Sequence, residues 1–232
     1  ANLNHFIAID TDKGDLEKKT FIPESNRVCI SNFDKFSYQQ SGFGRSYSDA
    51  DPKLTSWLPN PEEYPFRKTA GKGAGQVRLE SRLGVYYNVA VERDLVATIE
   101  RCINQSLDAG DAYRRDDMNM RFFIFGSVAG GTGSGAFLAI SYLVQSLVNS
   151  PWTPHVTMFL SLPTLFKDKV GSLYKNVCVN GYAALKELEF MLSKMAYDQD
   201  PKYPYRFSGE EADGIVDTPP AGLICIMDRP TK

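Results

Sequence analysis

Gly126-Ser127-Val128-Ala129-Gly130-Gly131-Thr132-Gly133-Ser134-Gly135 holds five glycines in ten residues, with an apolar segment on either side. Upstream, residues 121–127 (RFFIFGS) read as a strand; downstream, 136–148 (AFLAISYLVQSLV) are apolar almost all round and predict the most buried helix. A glycine-rich junction between strand and helix removes Cβ atoms, so backbone N–H groups approach an anion closely. The helix adds its own free N–H groups and the positive end of its dipole. Thr132 and Ser134 are expected to offer hydroxyls to phosphate oxygens, and a side chain at Gly131 is expected to collide with the ligand. The bland alternative is a tight turn with no ligand. No Lys-Ser/Thr pair closes the loop, which excludes a Walker A site, and the spacing departs from G-x-G-x-x-G.

Working outward, residues 5–10 (HFIAID), 155–163 (HVTMFLSLP) and 222–228 (GLICIMD) are three more short apolar segments. They are near-continuous rather than alternating, which predicts a parallel sheet covered on both faces. Between the strands lie helical patterns. In 92–107, Leu95, Ile99, Cys102, Ile103 and Leu107 share one face; in 173–195, Val177, Ala184, Leu188, Met191 and Met195 do the same. Strand and helix in alternation predict an α/β fold with right-handed crossovers. Residues 30–69 break the alternation, being rich in Ser, Pro, Asp and aromatics such as Trp57, Tyr64 and Phe66, and read as a long insertion. Residues 198–220, with Pro201, Pro204, Pro219 and Pro220, read as a surface loop.

Composition narrows the function classes. The 232 residues carry a net charge of −2, which leaves no electrostatic footprint for broad nucleic-acid or anionic-membrane binding. A hydrophobic content of 43% at this length builds a sizeable core and excludes a disordered chain. His5 and His155 are the only histidines, and Cys29, Cys102, Cys178 and Cys225 form no C-x-x-C pair, which argues against a zinc cluster. Each cysteine lies in or beside an apolar stretch and reads as reduced and buried, hence cytoplasmic. No apolar run approaches the roughly 20 residues of a membrane span, and no signal peptide opens the chain.

Two further clusters suit phosphate chemistry. Asp10-Thr11-Asp12 follows the first apolar strand, where two carboxylates can hold Mg²⁺ through water, or form a solvated turn. Gly71-Lys72-Gly73-Ala74-Gly75-Gln76-Val77-Arg78 precedes a helix; its Gly-Ala-Gly turn can offer N–H groups to a phosphate, with Lys72 or Arg78 adding charge. Asn180, on the next helix, can reach a base or ribose or satisfy a neighbouring backbone group.

The heptad Ala129-Gly130-Gly131-Thr132-Gly133-Ser134-Gly135 resembles the GGGTG(S/T)G loop of the tubulin/FtsZ superfamily, with alanine in the first glycine position. The order of landmarks resembles the divergent bacterial tubulin-like proteins. The resemblance implies a Rossmann-like nucleotide-binding domain over 1–232, a mostly parallel sheet with helices on both faces and an insertion at about 30–69. It implies GTP or GDP as ligand with Mg²⁺, and hydrolysis coupled to head-to-tail self-assembly into filaments. By the same resemblance Ala129, Gly130, Gly131, Thr132, Gly133, Ser134, Gly73, Ala74 and Gly75 bind phosphate, and Asp10 and Asp12 stand near the metal. Asp168 and Asn180 become ribose or base contacts. Asp228 stands where the family often reads guanine with asparagine, and a carboxylate there can accept from both guanine N1–H and the 2-amino group. Family members also carry a strand and glycine-rich loop ahead of the Asp10 strand, and a central helix with an acidic loop downstream. The chain is therefore expected to be a fragment of a longer protein, with no identifiable catalytic base. The rival readings are a non-hydrolysing interaction module that uses the 30–69 insertion as a partner surface, and a dinucleotide-dependent oxidoreductase. The oxidoreductase lacks its motif.

Overall fold

A computed structural model describes residues 4–31, 71–111, 118–197 and 216–229. Most of the expected insertion (32–69) and of the expected proline-rich loop (198–215) lies outside the described residues.

Two parallel sheets form the centre. The first pairs β1 (Ala8–Asp10) with β2 (Arg27–Cys29), joined through a short helix, α1 (Lys13–Glu17). The second has the order β3-β4-β5, from β3 (Asn119–Ser127), β4 (Thr153–Ser161) and β5 (Leu223–Met227). All pairings are parallel, as near-continuous apolar strands require. Four of the five strands coincide with the apolar segments of the sequence. The exception is β2, whose three residues are too few to show a period.

The helices α2 (Arg78–Tyr87), α3 (Asp94–Asp111), α4 (Gly131–Ser146), a short α5 (Lys167–Val170) and α6 (Tyr174–Tyr197) complete the described α-helices. A π turn at Asn88–Glu92 separates α2 from α3. There Asn88 is fully buried; its Oδ1 accepts from Leu95 N at 2.8 Å, and this bond starts α3. One core joins the apolar faces of α3, α4 and α6 to one face of the second sheet, where Val156, Met158 and Leu160 alternate with half-buried neighbours. The helix α4 buries Ala136, Phe137, Leu138, Ala139, Tyr142, Leu143 and Val144, as its all-round apolar sequence predicts. The first sheet is covered on both sides: Val28 belongs to the main core, whereas Ala8 and Cys29 pack with Leu16 of α1. The result is a Rossmann-like α/β fold, parallel sheets flanked by helices.

Among the described residues the outer face of β3-β4-β5 stays open. Phe123, Phe125 and Leu223 are 58%, 71% and 57% exposed, and Phe125 stacks on Phe159 with ring centroids 4.7 Å apart. All four cysteines are free thiols; Cys29 and Cys102 are buried, whereas Cys178 and Cys225 are only half-buried. No described helix is long and apolar enough to cross a membrane.

Backbones meet closely where α2 crosses its neighbours. A Cβ on Gly135 would stand 2.1 Å from the Arg78 carbonyl oxygen, and one on Gly84 would stand 2.4 Å from the Ile30 carbonyl oxygen. Neither partner is a flexible side-chain end, so α2 itself must move to admit a methyl group. Gly135→Ala should therefore destabilise the protein by about 1–3 kcal/mol, the usual cost of overpacking. Gly126→Ala, whose Cβ meets nothing within 4 Å, should change stability by less than about 0.5 kcal/mol. Urea unfolding of the two variants beside the parent checks the contrast.

Candidate functional site

The loop after β1 meets the start of α4, because Thr11, just past β1, touches Thr132 in the first turn of α4, with 2.6 Å between their hydroxyl oxygens. A third segment closes on the same point. Lys13 N donates to Gly71 O at 2.8 Å and Gly73 N donates to Thr11 O at 2.9 Å, so the Gly-Ala-Gly turn lies along the acidic loop. Gly71, Gly73 and Gly75 all have positive φ (+78°, +83° and +53°), the left-handed backbone in which glycine carries no Cβ penalty.

Beyond β3, Val128 N donates to Ser161 O at 3.1 Å and Ala129 N to Ser127 Oγ at 3.1 Å. From Gly130 the geometry changes. Gly130 is the N-cap of α4 with no side-chain capping bond, and the first turn of α4 holds no acidic residue. The N–H groups of Gly130, Gly131, Thr132 and Gly133 have no acceptor among the described residues. A Cβ on Gly130 would meet nothing within 4 Å. An uncapped end of a sixteen-residue helix, with its dipole uncompensated and its backbone open, suits an anion.

Several expectations for this loop need correction. The Thr132 hydroxyl donates to Asp10 Oδ1 at 3.1 Å, and the buried Ser134 hydroxyl donates to the Gly130 carbonyl, so both protons are used within the chain. A Cβ on Gly131 would not meet a ligand first; it would stand 2.9 Å from Val77 N and 3.1 Å from the Ala74 Cβ. Likewise a Cβ on Gly133 would stand 2.2 Å from the Ser127 carbonyl oxygen. Arg78 is no free phosphate ligand: its guanidinium donates to Ser134 O at 3.0 Å and pairs with Glu187 at 2.6 Å. Lys72 remains exposed.

The acidic pair is partly committed. Asp10 Oδ1 accepts from Thr11 N at 2.7 Å, from Asp12 N at 3.2 Å and from Thr132. Asp12 Oδ1 caps α1 by accepting from Asp15 N at 3.0 Å. The second oxygen of each carboxylate has no hydrogen bond among the described residues. No group of three or more His, Cys, Asp or Glu could hold a metal among them either. Two carboxylate oxygens without a third protein ligand suit Mg²⁺ shared with phosphates and water, rather than a cage made by protein alone.

At the ends of β4 and β5, Asp168 pairs with Arg229 at 2.8 Å, and Asp228 Oδ1 accepts from the Thr164 hydroxyl and from Arg229 N. Both carboxylates are exposed. Asp228 thus keeps one oxygen free, not the two needed to receive guanine N1–H and 2-amino together. Asn180 is 8% exposed, and its Nδ2 donates to Gln76 O at 2.9 Å and to Ala129 O at 3.3 Å. It fastens the Gly-Ala-Gly turn to the glycine loop, the second of the two roles open to it in the sequence, and has no N–H left for a nucleoside. Thr11 was missed altogether. No local signal marked it, because Thr11 lies at a bend just past β1 and its partners Ala74 and Thr132 are distant in sequence. Replacing Asn180 by leucine leaves two buried carbonyls without a donor, so Asn180→Leu should cost about 1–3 kcal/mol. Amide exchange in residues 73–77 should quicken more than in α3, which hydrogen-exchange mass spectrometry reads directly.

No curated protein and no solved structure matches this chain. A protein family described as tubulin like does, over residues 1–231, a span that takes in both sheets, the glycine loop and the Asp168–Asp228 corner. The chain belongs to the tubulin-like family.

Proposed function

We propose that residues 1–232 form one domain, with an insertion at about 30–69, that binds GTP or GDP with Mg²⁺ at the carboxyl ends of β1, β3 and β4. The observation that carries this reading is the uncapped N-terminus of α4, with open space over Gly130 and N–H groups from Gly130 to Gly133 that have no acceptor among the described residues. The stretch 129–134, through the open N–H groups of Gly130 to Gly133, takes the phosphates with the Gly73-Ala74-Gly75 turn beside it, and the free oxygens of Asp10 and Asp12 face the metal. Asp168 and Asp228 lie on the side of the ribose and base. Bound Mg²⁺ would offset phosphate charge and spread the charge that develops on hydrolysis.

This reading extends to hydrolysis by water attack on the γ-phosphate, completed on head-to-tail assembly of a cytoplasmic bacterial filament. A heterologous contact that does not close builds such a filament. The second reading, a non-hydrolysing interaction module, is favoured by the open face bearing Phe123, Phe125 and Leu223, since apolar anchors dominate interfaces. In that reading the 30–69 insertion adds partner surface. Specific GTPase activity that rises with protein concentration selects the assembling enzyme; no turnover at any concentration selects the module.

Calorimetric titration with Mg²⁺ should show GTP and GDP binding, and ATP binding at least about tenfold weaker. Equal affinity for ATP overturns the guanine assignment, and no binding overturns the site. Gly130 has φ −84° and ψ 171°, a conformation any residue adopts, so Gly130→Val should keep the parent's melting temperature. Its isopropyl group would occupy the space over the helix end and weaken GTP by at least about 100-fold, roughly 2.7 kcal/mol. Parent-like affinity in the folded variant removes the helix end from the site.

A further inference from the structure

Thr11 sits between the two acidic residues and is 1% exposed. Its hydroxyl is the middle of a chain of hydrogen bonds. Ala74 N donates to Thr11 Oγ1 at 2.9 Å, Thr11 and Thr132 share a 2.6 Å contact, and Thr132 Oγ1 donates to Asp10 Oδ1 at 3.1 Å. The direction of the shared bond follows from its ends. A carboxylate only accepts and a hydroxyl has one proton. With the Thr132 proton on Asp10, the proton between the two hydroxyls belongs to Thr11. All three links then run one way, from the Ala74 amide to the Asp10 carboxylate.

We propose that Thr11 is a positioning residue that couples the Asp10 carboxylate to the backbone of the Gly-Ala-Gly turn. Bonds in such a chain polarise one another, so drawing charge from Asp10 weakens each link back to Ala74. A cation taken at Asp10 thereby loosens the Ala74 N–H and frees it for a phosphate oxygen; this last step rests on the nucleotide reading above. The main chain of Thr11 plays a separate, structural part. Its carbonyl accepts from Gly73 N at 2.9 Å and from the Ser31 hydroxyl at 2.5 Å. A change confined to the hydroxyl therefore cuts the coupling and leaves the main-chain tie of the turn in place.

The test needs no nucleotide. Exchange of the Ala74 amide, resolved by NMR, is compared in the parent, Thr11→Val, Thr11→Ser and each of these with Asp10→Asn. Thr11→Val should speed exchange by about tenfold, about 1.4 kcal/mol, and Thr11→Ser should restore the slow rate. Asp10→Asn should speed exchange by up to about twofold, the size of a loss of about 10–30% of each bond's strength in a hydrogen-bonded chain. It should do so in the parent and Thr11→Ser but not in Thr11→Val. An Asp10→Asn effect that persists undiminished in Thr11→Val overturns the coupling, as does an unchanged Ala74 rate in Thr11→Val. If Thr11→Val does not fold, Thr132→Val cuts the same chain one link further on, and the Asp10→Asn response must vanish there. In the folded variant the ratio of GTP affinities with and without Mg²⁺ is then measured. That ratio should fall towards one in Thr11→Val, whereas a merely structural role shifts both affinities and leaves the ratio unchanged. Absence of GTP binding in the parent overturns the nucleotide reading, and the exchange experiment decides the coupling by itself.

Discussion

Three loops that are distant in sequence meet on one buried threonine. Thr11 accepts from Gly73 N through its carbonyl and from Ala74 N through its hydroxyl, and it touches Thr132. The partners lie 63 and 121 residues away along the chain. Ordering segments that far apart costs backbone entropy of about 1–2 kcal/mol per residue, and only buried, satisfied bonds hold them against it. Once Thr11 is fixed, the rest follows. The acidic loop lies under the Gly-Ala-Gly turn, the turn lies against Gly131, and Asn180 fastens turn to loop from the helix side.

That packing explains the glycines differently from the usual appeal to a ligand. Of the five in residues 126–135, Gly131, Gly133 and Gly135 would each place a Cβ within 3.0 Å of another segment's backbone. They are small because α4 starts pressed against β3, the Gly-Ala-Gly turn and α2. Gly126 and Gly130 meet nothing within 4 Å, so no packing constraint requires glycine there. On the proposed nucleotide reading, a close approach from outside the chain accounts for Gly130, which stands at the uncapped helix end.

Strand and helix positions were legible because they rest on local periodicity. Parallel strands buried on at least one face give apolar runs, and Val177, Ala184, Leu188 and Met191 repeat on α6 as the core demands. The three-residue β2 escaped because so short a strand has no period to read, and 32–69 lies outside the described residues. In the site, the stretches were legible but the partners of their side chains were not. Thr132, Ser134, Arg78 and Asn180 all look like free donors in the sequence. Each spends its hydrogens inside the chain, and for Arg78 and Asn180 the acceptors lie 51 to 109 residues away. A one-dimensional pattern carries the donor but not the acceptor.

With these side chains committed, the donors left for an anion are backbone N–H groups, and on the nucleotide reading proposed above discrimination between bases falls to the ends of β4 and β5. The two regions differ in what a ligand must displace. Asn180 is buried, and opening its two bonds would leave carbonyls unpaired at about 1–3 kcal/mol. The Asp168–Arg229 pair is exposed, with side chains 69% and 54% accessible, and exposed pairs of this kind contribute about 0–1 kcal/mol. Exchanging that pair, or the Thr164 hydroxyl on Asp228, for contacts to a nucleoside therefore costs little. On the nucleotide reading, the helix end from Gly130 to Gly133 is prebuilt while the base side is assembled by exchange of surface contacts. Selectivity between guanine and adenine then rests on whether Asp228 releases both Thr164 and Arg229 N, because only then are both of its oxygens available to the two guanine donors.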